Sequence, residues 1–189
     1  MSETDVIKPV TGFWTWLVVK DGDSRGLDNI LDRWLPVHIA FSAVLGWLLP
    51  LDASNIARTI ALPGAAILVG LAFGWAGRSA SLLQDKDFSR FIIENGPAPE
   101  GYVYSFQLAV LTVIAFIGLS LVMASGGLPL STGSESVDTY GNRFWLFLTG
   151  SIAVRESWGI IYFVNKLTIQ FYRLRQSQFE TEGDEGGGQ

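Results

Sequence analysis

The sequence predicts an all-α, polytopic membrane protein with four transmembrane helices. Of its 189 residues, 49% are hydrophobic and only 16% are charged, well below the charged share of an ordinary soluble domain. Apolar runs long enough to cross a bilayer recur four times, at about residues 35–51, 60–77, 102–123 and 144–164. The last run carries two adjacent charges near its middle, which must be compensated inside the membrane.

The composition excludes several kinds of functional site. Because the chain has no Cys, it cannot form a disulfide framework, a thiolate metal site or a Cys nucleophile. Its one histidine, His38, excludes a site built from several imidazoles of one chain, and we expect no cofactor and no metal. The net charge of -5 argues against a nucleic-acid-binding surface, so no direct contact with nucleic acid is expected.

The N-terminal segment, residues 1–34, is predicted to be cytosolic. Its aromatic run, residues 12–19, is too short to span a bilayer. Trp14 and Trp16 suit the membrane interface, and a short strand packed on other cytosolic elements is the alternative. Apolar side chains then recur at helical spacing over residues 24–34, which predicts an amphipathic helix leading into the first span.

The first two spans carry one ionisable residue and one packing motif. His38, in the first span, is expected either to satisfy a helix carbonyl or to respond to pH. In the second span Ala66, Gly70 and Gly74 lie four residues apart, a spacing that lets two helix backbones approach closely. This helix-packing face suits contacts within the chain and contacts between subunits equally well.

Polar segments connect and follow the other two spans. Loop 78–101 contains Phe88, Phe91 and Ile92 at helical spacing, so a short surface helix is predicted from Asp85 to Glu94, either resting on lipid headgroups or docking a cytosolic partner. The third span contains no ionisable residue beyond its opening tyrosines and is interpreted as scaffold.

The fourth span is predicted to continue as a helical extension over residues 165–177. Its Arg173 and Arg175 are assigned, together with the apolar residues of the loop helix, to docking a cytosolic protein. Residues 178–189 are acidic and of low complexity, and are therefore predicted to be a disordered tail.

Basic residues predict the orientation of the chain. The N-terminal segment, loop 78–101 and the C-terminal segment together hold 10 Lys and Arg residues, against 2 in the other two connections. By the positive-inside rule, both termini and this loop face the cytosol, which predicts a multi-pass protein of the inner (plasma) membrane.

The charged pair in the fourth span is the main candidate site. On a helix, Ser151, Arg155 and Tyr162 share one face, and Glu156 is turned roughly 100° away, so the two adjacent charges are not expected to neutralise each other directly. A partner must therefore come from another helix. Either Glu156 pairs with His38 of the same chain, or Arg155 of one copy pairs with Glu156 of the next and builds a ring.

Two functional hypotheses follow from this pair. The pair either fixes helix register and subunit choice or lines a polar cavity. The chain contains no HExxH, GxSxG or P-loop motif, so we do not expect an enzyme. The first hypothesis is an oligomeric membrane sensor or anchor that holds a soluble cytosolic partner. The second is an ion channel or a proton-coupled small-molecule transporter that uses Arg155 and Glu156.

The overall layout resembles a known class of membrane subunit. A chain of this length, with an amphipathic cytosolic start, four spans and an Arg155–Glu156 pair in the last span before a basic helical extension, is similar to the small membrane subunits of prokaryotic anti-phage defence systems, of the Kiwa type. The resemblance implies a homo-oligomer that senses infection at the inner membrane and works with a cytosolic, nucleic-acid-binding partner.

Overall fold

The computed structural model describes residues 12–19, 28, 31–49, 51–95, 99–126 and 132–186. Every regular element within these ranges is helical, and no strand occurs among them, which confirms the all-α class. The helices are α1 (Phe13–Val18), α2 (Leu35–Leu48), α3 (Ala53–Ile56), α4 (Leu62–Leu83), α5 (Lys86–Asn95), α6 (Pro99–Ala124) and α7 (Glu135–Gly186).

Helices α3 and α4 form one continuous helical segment with a wider turn near its start. Asp52 caps this segment, because its side chain accepts a hydrogen bond of 3.0 Å from the backbone N–H of Ser54. The turn Ala57–Ala61 is π-helical. It lies just before Pro63, which has no N–H to continue the regular α-helical pattern.

Two of the described helices are long and apolar enough to cross a membrane, Ala53–Leu83 and Val103–Ala124. They correspond to the second and third predicted spans. Helix α2 is apolar but has only 14 residues, which at 1.5 Å per residue gives about 21 Å. The fourth predicted span lies within the 52 residues of α7.

Helices α4, α6 and α7 pack around a core with small side chains on the continuous segment formed by α3 and α4. Ala61 and Ala65 are buried there against Phe116 of α6 and Leu146 of α7. The predicted packing face of Ala66, Gly70 and Gly74 is exposed instead, and a Cβ atom at either glycine would meet no neighbour within 4 Å. Small residues occur on both sides of this segment, and packing within the chain uses the side that contains Ala61 and Ala65.

Polar contacts determine where α6 ends and α7 begins. The Arg58 side chain donates through Nε to the carbonyl oxygen of Ala124 at 2.7 Å, which satisfies a carbonyl at the end of α6. Asp138, in the first turn of α7, accepts hydrogen bonds from the backbone and the hydroxyl of Thr132 at 2.9 and 2.8 Å. Helix α7 therefore starts at Glu135, nine residues before the predicted span.

Helix α5 packs on the C-terminal part of α7. Phe88 and Ile92 of α5 form a buried cluster with Leu167 of α7, and Phe88 meets the Phe171 ring edge-on with centroids 5.3 Å apart. This corrects the predicted docking role, since both α5 side chains are covered by the chain's own helix. A partly buried Phe91 packs against the same cluster.

The last helix also extends further than predicted. Its backbone is helical to Gly186, so most of the segment 178–189 that was predicted to be disordered belongs to α7. The polar sequence lowered the expected helicity there, but it contains no proline. We call residues 165–178 of α7, together with α5, the cytosolic arm, after the side of the membrane that the sequence predicts for them.

The N-terminal aromatic run forms helix α1 and not the strand considered as an alternative. Trp16 and Leu17 are buried against Tyr104 and Leu108 near the start of α6, whereas Trp14 is exposed. Most of the amphipathic helix predicted over residues 24–34 falls outside the described residues. Residues 31–34 are described and form a bend and a turn.

Candidate functional site

Arg155 finds its partner in the residues that precede α2. Its Nη2 atom donates to Oδ2 of Asp32 at 2.6 Å, a charge-assisted hydrogen bond. The two side chains are 28% and 22% exposed, so the pair is largely shielded. A second oxygen of Asp32 accepts from the backbone N–H of Trp34 at 3.0 Å, which fixes the carboxylate at the start of α2.

The neighbouring carboxylate completes a cluster of three charges. Glu156 Oε1 lies 3.6 Å from Arg155 Nη1, although the two residues are adjacent on one helix. This corrects the expectation that they would not approach each other, because the long Arg155 side chain bends toward the second carboxylate. The intrachain cluster also makes a partner from another copy unnecessary for Arg155. We call Asp32, Arg155 and Glu156 the charge cluster.

The charge cluster lies at the mid-depth of the helical bundle. Gly150 of α7 lies against the Phe116 ring of α6, and Ile160 of α7 packs with Ala109 of α6. Arg155 is halfway between Gly150 and Ile160, so it is level with the middle of the apolar stretch Val103–Ala124. Helix α2 therefore begins near mid-depth, where Asp32, just before its first residue, contacts Arg155.

An open groove of about 760 Å³ leads to one side of the cluster. It lies over α7 between α2 and α4, and its walls include His38, Ser151, Arg155 and Trp158 among mainly apolar side chains. His38 thus shares a cavity with Arg155 and not with Glu156, which removes the basis for the predicted His38–Glu156 pair. The Ser151 hydroxyl donates to the carbonyl of Leu148 at 3.0 Å.

A second groove, of about 660 Å³, leads to the other side of the cluster. It lies between α4, α6 and α7 and is lined by Glu156, Ser79, Ser105 and Tyr162. The predicted face of Ser151, Arg155 and Tyr162 is therefore divided between two cavities. Arg155 opens on one groove and Glu156 on the other.

The charge balance of the cluster limits what it can do chemically. Two carboxylates face one guanidinium, which leaves an excess of negative charge whenever both acids are ionised. A cluster with this net charge attracts a cation electrostatically. Among the described residues, no three His, Asp or Glu side chains are grouped as a metal site would require.

A second ion pair holds the cytosolic arm. The Arg175 side chain donates to Asp85 at the junction between α4 and α5. The backbone N–H of Phe88 donates to the same carboxylate at 3.0 Å, and this bond, followed by the charge of Arg175, lowers the pKa of Asp85. Arg173, which was also assigned to docking, is exposed on the same stretch of α7.

Sequence reasoning missed Asp32 as a member of the site. Its position suggested the polar side of a lead-in helix, away from the apolar residues. The sequence did offer one signal, because Asp32 lies shortly before Pro36. A residue that precedes the first regular turn of α2 can fold back toward a charge on another helix.

Comparison with known proteins identifies no relatives. No protein-family model, no curated protein and no solved structure matches this chain.

Proposed function

We propose that this chain is a non-enzymatic, oligomeric protein of the inner membrane that anchors a soluble partner and transmits a change at the membrane to it. In this proposal α2, the α3–α4 segment, α6 and α7 are all embedded in the bilayer, with both termini cytosolic. The partner binds the exposed surface of the cytosolic arm. The setting implied by the resemblance, anti-phage defence, belongs to the same proposal.

The observation that carries the proposal is the continuity of α7. The helix has 52 residues, about 78 Å at 1.5 Å per residue, and it includes both the charge cluster and the cytosolic arm. A continuous helix transmits rotation or translation along its axis, because its backbone hydrogen bonds resist local bending. A change in the contacts of Arg155 would therefore reach Arg175, 20 residues away on the same helix.

The cytosolic arm is built to move as one body with α7. Phe88 is completely buried against α7, and Asp85 is tied to Arg175 at the same level. Helix α5 is also connected to the end of α4 by a short turn. Movement of α7 thus changes the position of α5 relative to the membrane surface, which is the kind of change a bound partner can detect.

The arrangement of α2 supports embedding all four helical segments. Its exposed side chains include Val37, Phe41 and Val44, which suit contact with lipid and not with water. Its outer end packs closely on α7, where a Cβ atom at Gly46 would lie 3.3 Å from the backbone nitrogen of Phe144. A helix this short can begin at mid-depth because the charge of Asp32, just before its start, is paired with the charge of Arg155.

The proposal is tested by extraction in mild detergent from cells that keep the native gene neighbourhood. We expect the wild-type chain to retain a soluble protein. The Asp85→Asn variant, which loosens α5 from α7, should retain several-fold less. Glu135→Gln is the control, since Glu135 is exposed at the start of α7, away from the arm, and its replacement removes a charge of the same sign. A wild-type chain that retains no protein would contradict the anchor.

The antiviral setting has its own test. Phages should form fewer plaques on cells that carry the native gene neighbourhood than on cells in which only the gene for this chain is deleted. Equal plating efficiency across a broad phage panel would remove this part of the proposal and leave the anchor intact.

A second candidate function, proton-coupled transport, is favoured by the charge cluster alone. Glu156 borders one groove and Arg155 the other, so a proton or cation held at the cluster is accessible from two cavities. Liposome flux tests this function directly. Glu156→Gln should abolish proton-coupled flux, whereas Glu135→Gln, at the exposed start of α7, should not. Identical flux in wild type and Glu156→Gln would eliminate this function.

A further inference from the structure

We infer that the exposed face of α7 from Trp158 to Tyr172 is a seam through which two copies of this chain associate side by side. The inference rests on the proposed function, because it takes the chain to be a membrane protein whose copies share one orientation. It identifies the surface that makes the oligomer.

The seam is a row of exposed residues at alternating spacings of four and three. Trp158, Tyr162, Ile169 and Tyr172 are 67%, 68%, 54% and 65% exposed, and Asn165 between them is exposed too. This is the heptad spacing with which one helix packs against another, the a and d positions of a coiled coil. Ile169 and Tyr172 lie beyond the predicted span 144–164, where large exposed side chains of this kind favour a partner surface.

Among the residues that the structure describes, the other helices leave this row largely exposed. Helix α5 packs on the side of α7 that contains Leu167 and Phe171. Leu167 is two residues from both Asn165 and Ile169, a rotation of about 200°, so the row and the α5 contact lie on opposite sides of α7. The arm thus presents a free helix face on one side while it is held on the other.

The seam also continues an interface that already exists within the chain. The outer part of α7 is covered by α2, through the contact of Trp47 with Tyr140, with ring centroids 6.1 Å apart, and the close approach of Gly46 to Phe144. The cover ends at the Asp32–Arg155 contact, where α2 begins. Trp158 is the next residue toward the cytosol on this face, so the open row starts where α2 stops.

A second copy of the chain is the occupant that fits the row. Copies inserted in one membrane with one orientation have parallel α7 helices, and a heptad row is self-complementary only when the two helices are in register. Asn165 then meets Asn165 of the other copy. In a parallel pair, an offset of one heptad would place Asn165 against Trp158 or Tyr172, so the two amides can satisfy each other only when the helices are in register.

The residues that flank the row are compatible with this pairing. In a parallel pair, a residue just before an a position faces the residue five positions further along the other helix. Lys166 would then face Ile161, and Arg173 would face Thr168. Neither of these two pairs brings like charges together, although the surface of the arm is basic.

Cysteine cross-linking in native membranes tests the seam, because the chain has no cysteine of its own. Asn165→Cys lies in the seam, and Gln170→Cys, turned about 140° from it on the same arm, is the matched control. On oxidation, Asn165→Cys should give a product of twice the 20.7 kDa chain mass, in at least ten-fold higher yield than Gln170→Cys. Equal yields would overturn the inference.

A charge introduced into the seam provides a second test. Ile169→Glu, combined with Asn165→Cys, should lower the cross-linked yield at least ten-fold, since it places two carboxylates opposite each other. Gln170→Glu should leave the yield unchanged. Ile169 is more than half exposed, so the change does not disturb the core. A cross-linked product of any other mass would assign the row to a different protein and overturn the inference.

The same samples separate this inference from the proposed function. Seam cross-links without a retained soluble protein would leave the seam standing and remove the anchor. A retained soluble protein with no preference for Asn165→Cys over Gln170→Cys would keep the anchor and remove the seam.

Discussion

A double-mutant cycle on Asp32 and Arg155 tests whether the charge cluster is a real energetic unit. The two side chains form a hydrogen bond of 2.6 Å at the mid-depth of the bundle, 123 residues apart in sequence. The cycle compares wild type, Asp32→Asn, Arg155→Gln and the double variant. Asparagine is isosteric with aspartate, and glutamine replaces arginine by a shorter polar side chain, so each change removes one charge.

The size of the coupling follows from the geometry. Two unit charges about 4 Å apart attract by about 4 kcal/mol at an effective dielectric of about 20. The side chains are 28% and 22% exposed, and Glu156 remains as a second acceptor at 3.6 Å, so part of this energy is screened or replaced. We therefore expect a coupling of about 1–3 kcal/mol in the free energy of unfolding.

The assay is reversible unfolding of the protein in bicelles. Asp32→Asn alone should be more destabilising in wild type than in the Arg155→Gln background, where no guanidinium is left unpaired. Effects of the two single variants that add within about 0.3 kcal/mol would refute the pairing.

Three further predictions concern packing and the cytosolic arm. Gly46→Ala should destabilise the chain by about 1–2 kcal/mol, because the new methyl group meets the α7 backbone, whereas Gly70→Ala should be neutral or stabilising in thermal unfolding, since nothing lies within 4 Å. Phe88→Ala should cost about 3–5 kcal/mol and should raise proteolysis and hydrogen exchange in α5 first, because this ring is fully buried. The native pKa of Asp85 is lowered, so its contribution is complete above the unfolded pKa and is lost as the pH falls through the native value. Protection of α5 from hydrogen exchange should therefore decrease in acid in wild type, and less steeply in Asp85→Asn.

Much of the helical layout could be predicted from the sequence, because it depends on local patterns. Apolar runs located the two helices that are long and apolar enough to cross a membrane, and helical spacing located α5 to within a residue of its observed ends. The sequence also singled out the pair Arg155 and Glu156, since charges in an apolar run are rare enough to be informative.

The partners of those elements could not be predicted, because they depend on the tertiary arrangement. Two amphipathic segments, α5 and the end of α7, each suggested an exposed docking face, and they cover each other through Phe88 and Leu167. Spacing shows which side of a helix is apolar but not what it packs against. Asp32 was missed for the same reason, since only the fold brings it to Arg155.

The central claim is that α7 crosses the membrane as one helix and carries the charge cluster and the cytosolic arm together. Labelling of single cysteines with a membrane-impermeant maleimide tests it directly, since the chain lacks cysteine. Ser136 and Ser177 are exposed near the two ends of α7. Ser136→Cys should react in spheroplasts, and Ser177→Cys only after the inner membrane is permeabilised. Reaction of both from the same side would contradict the account.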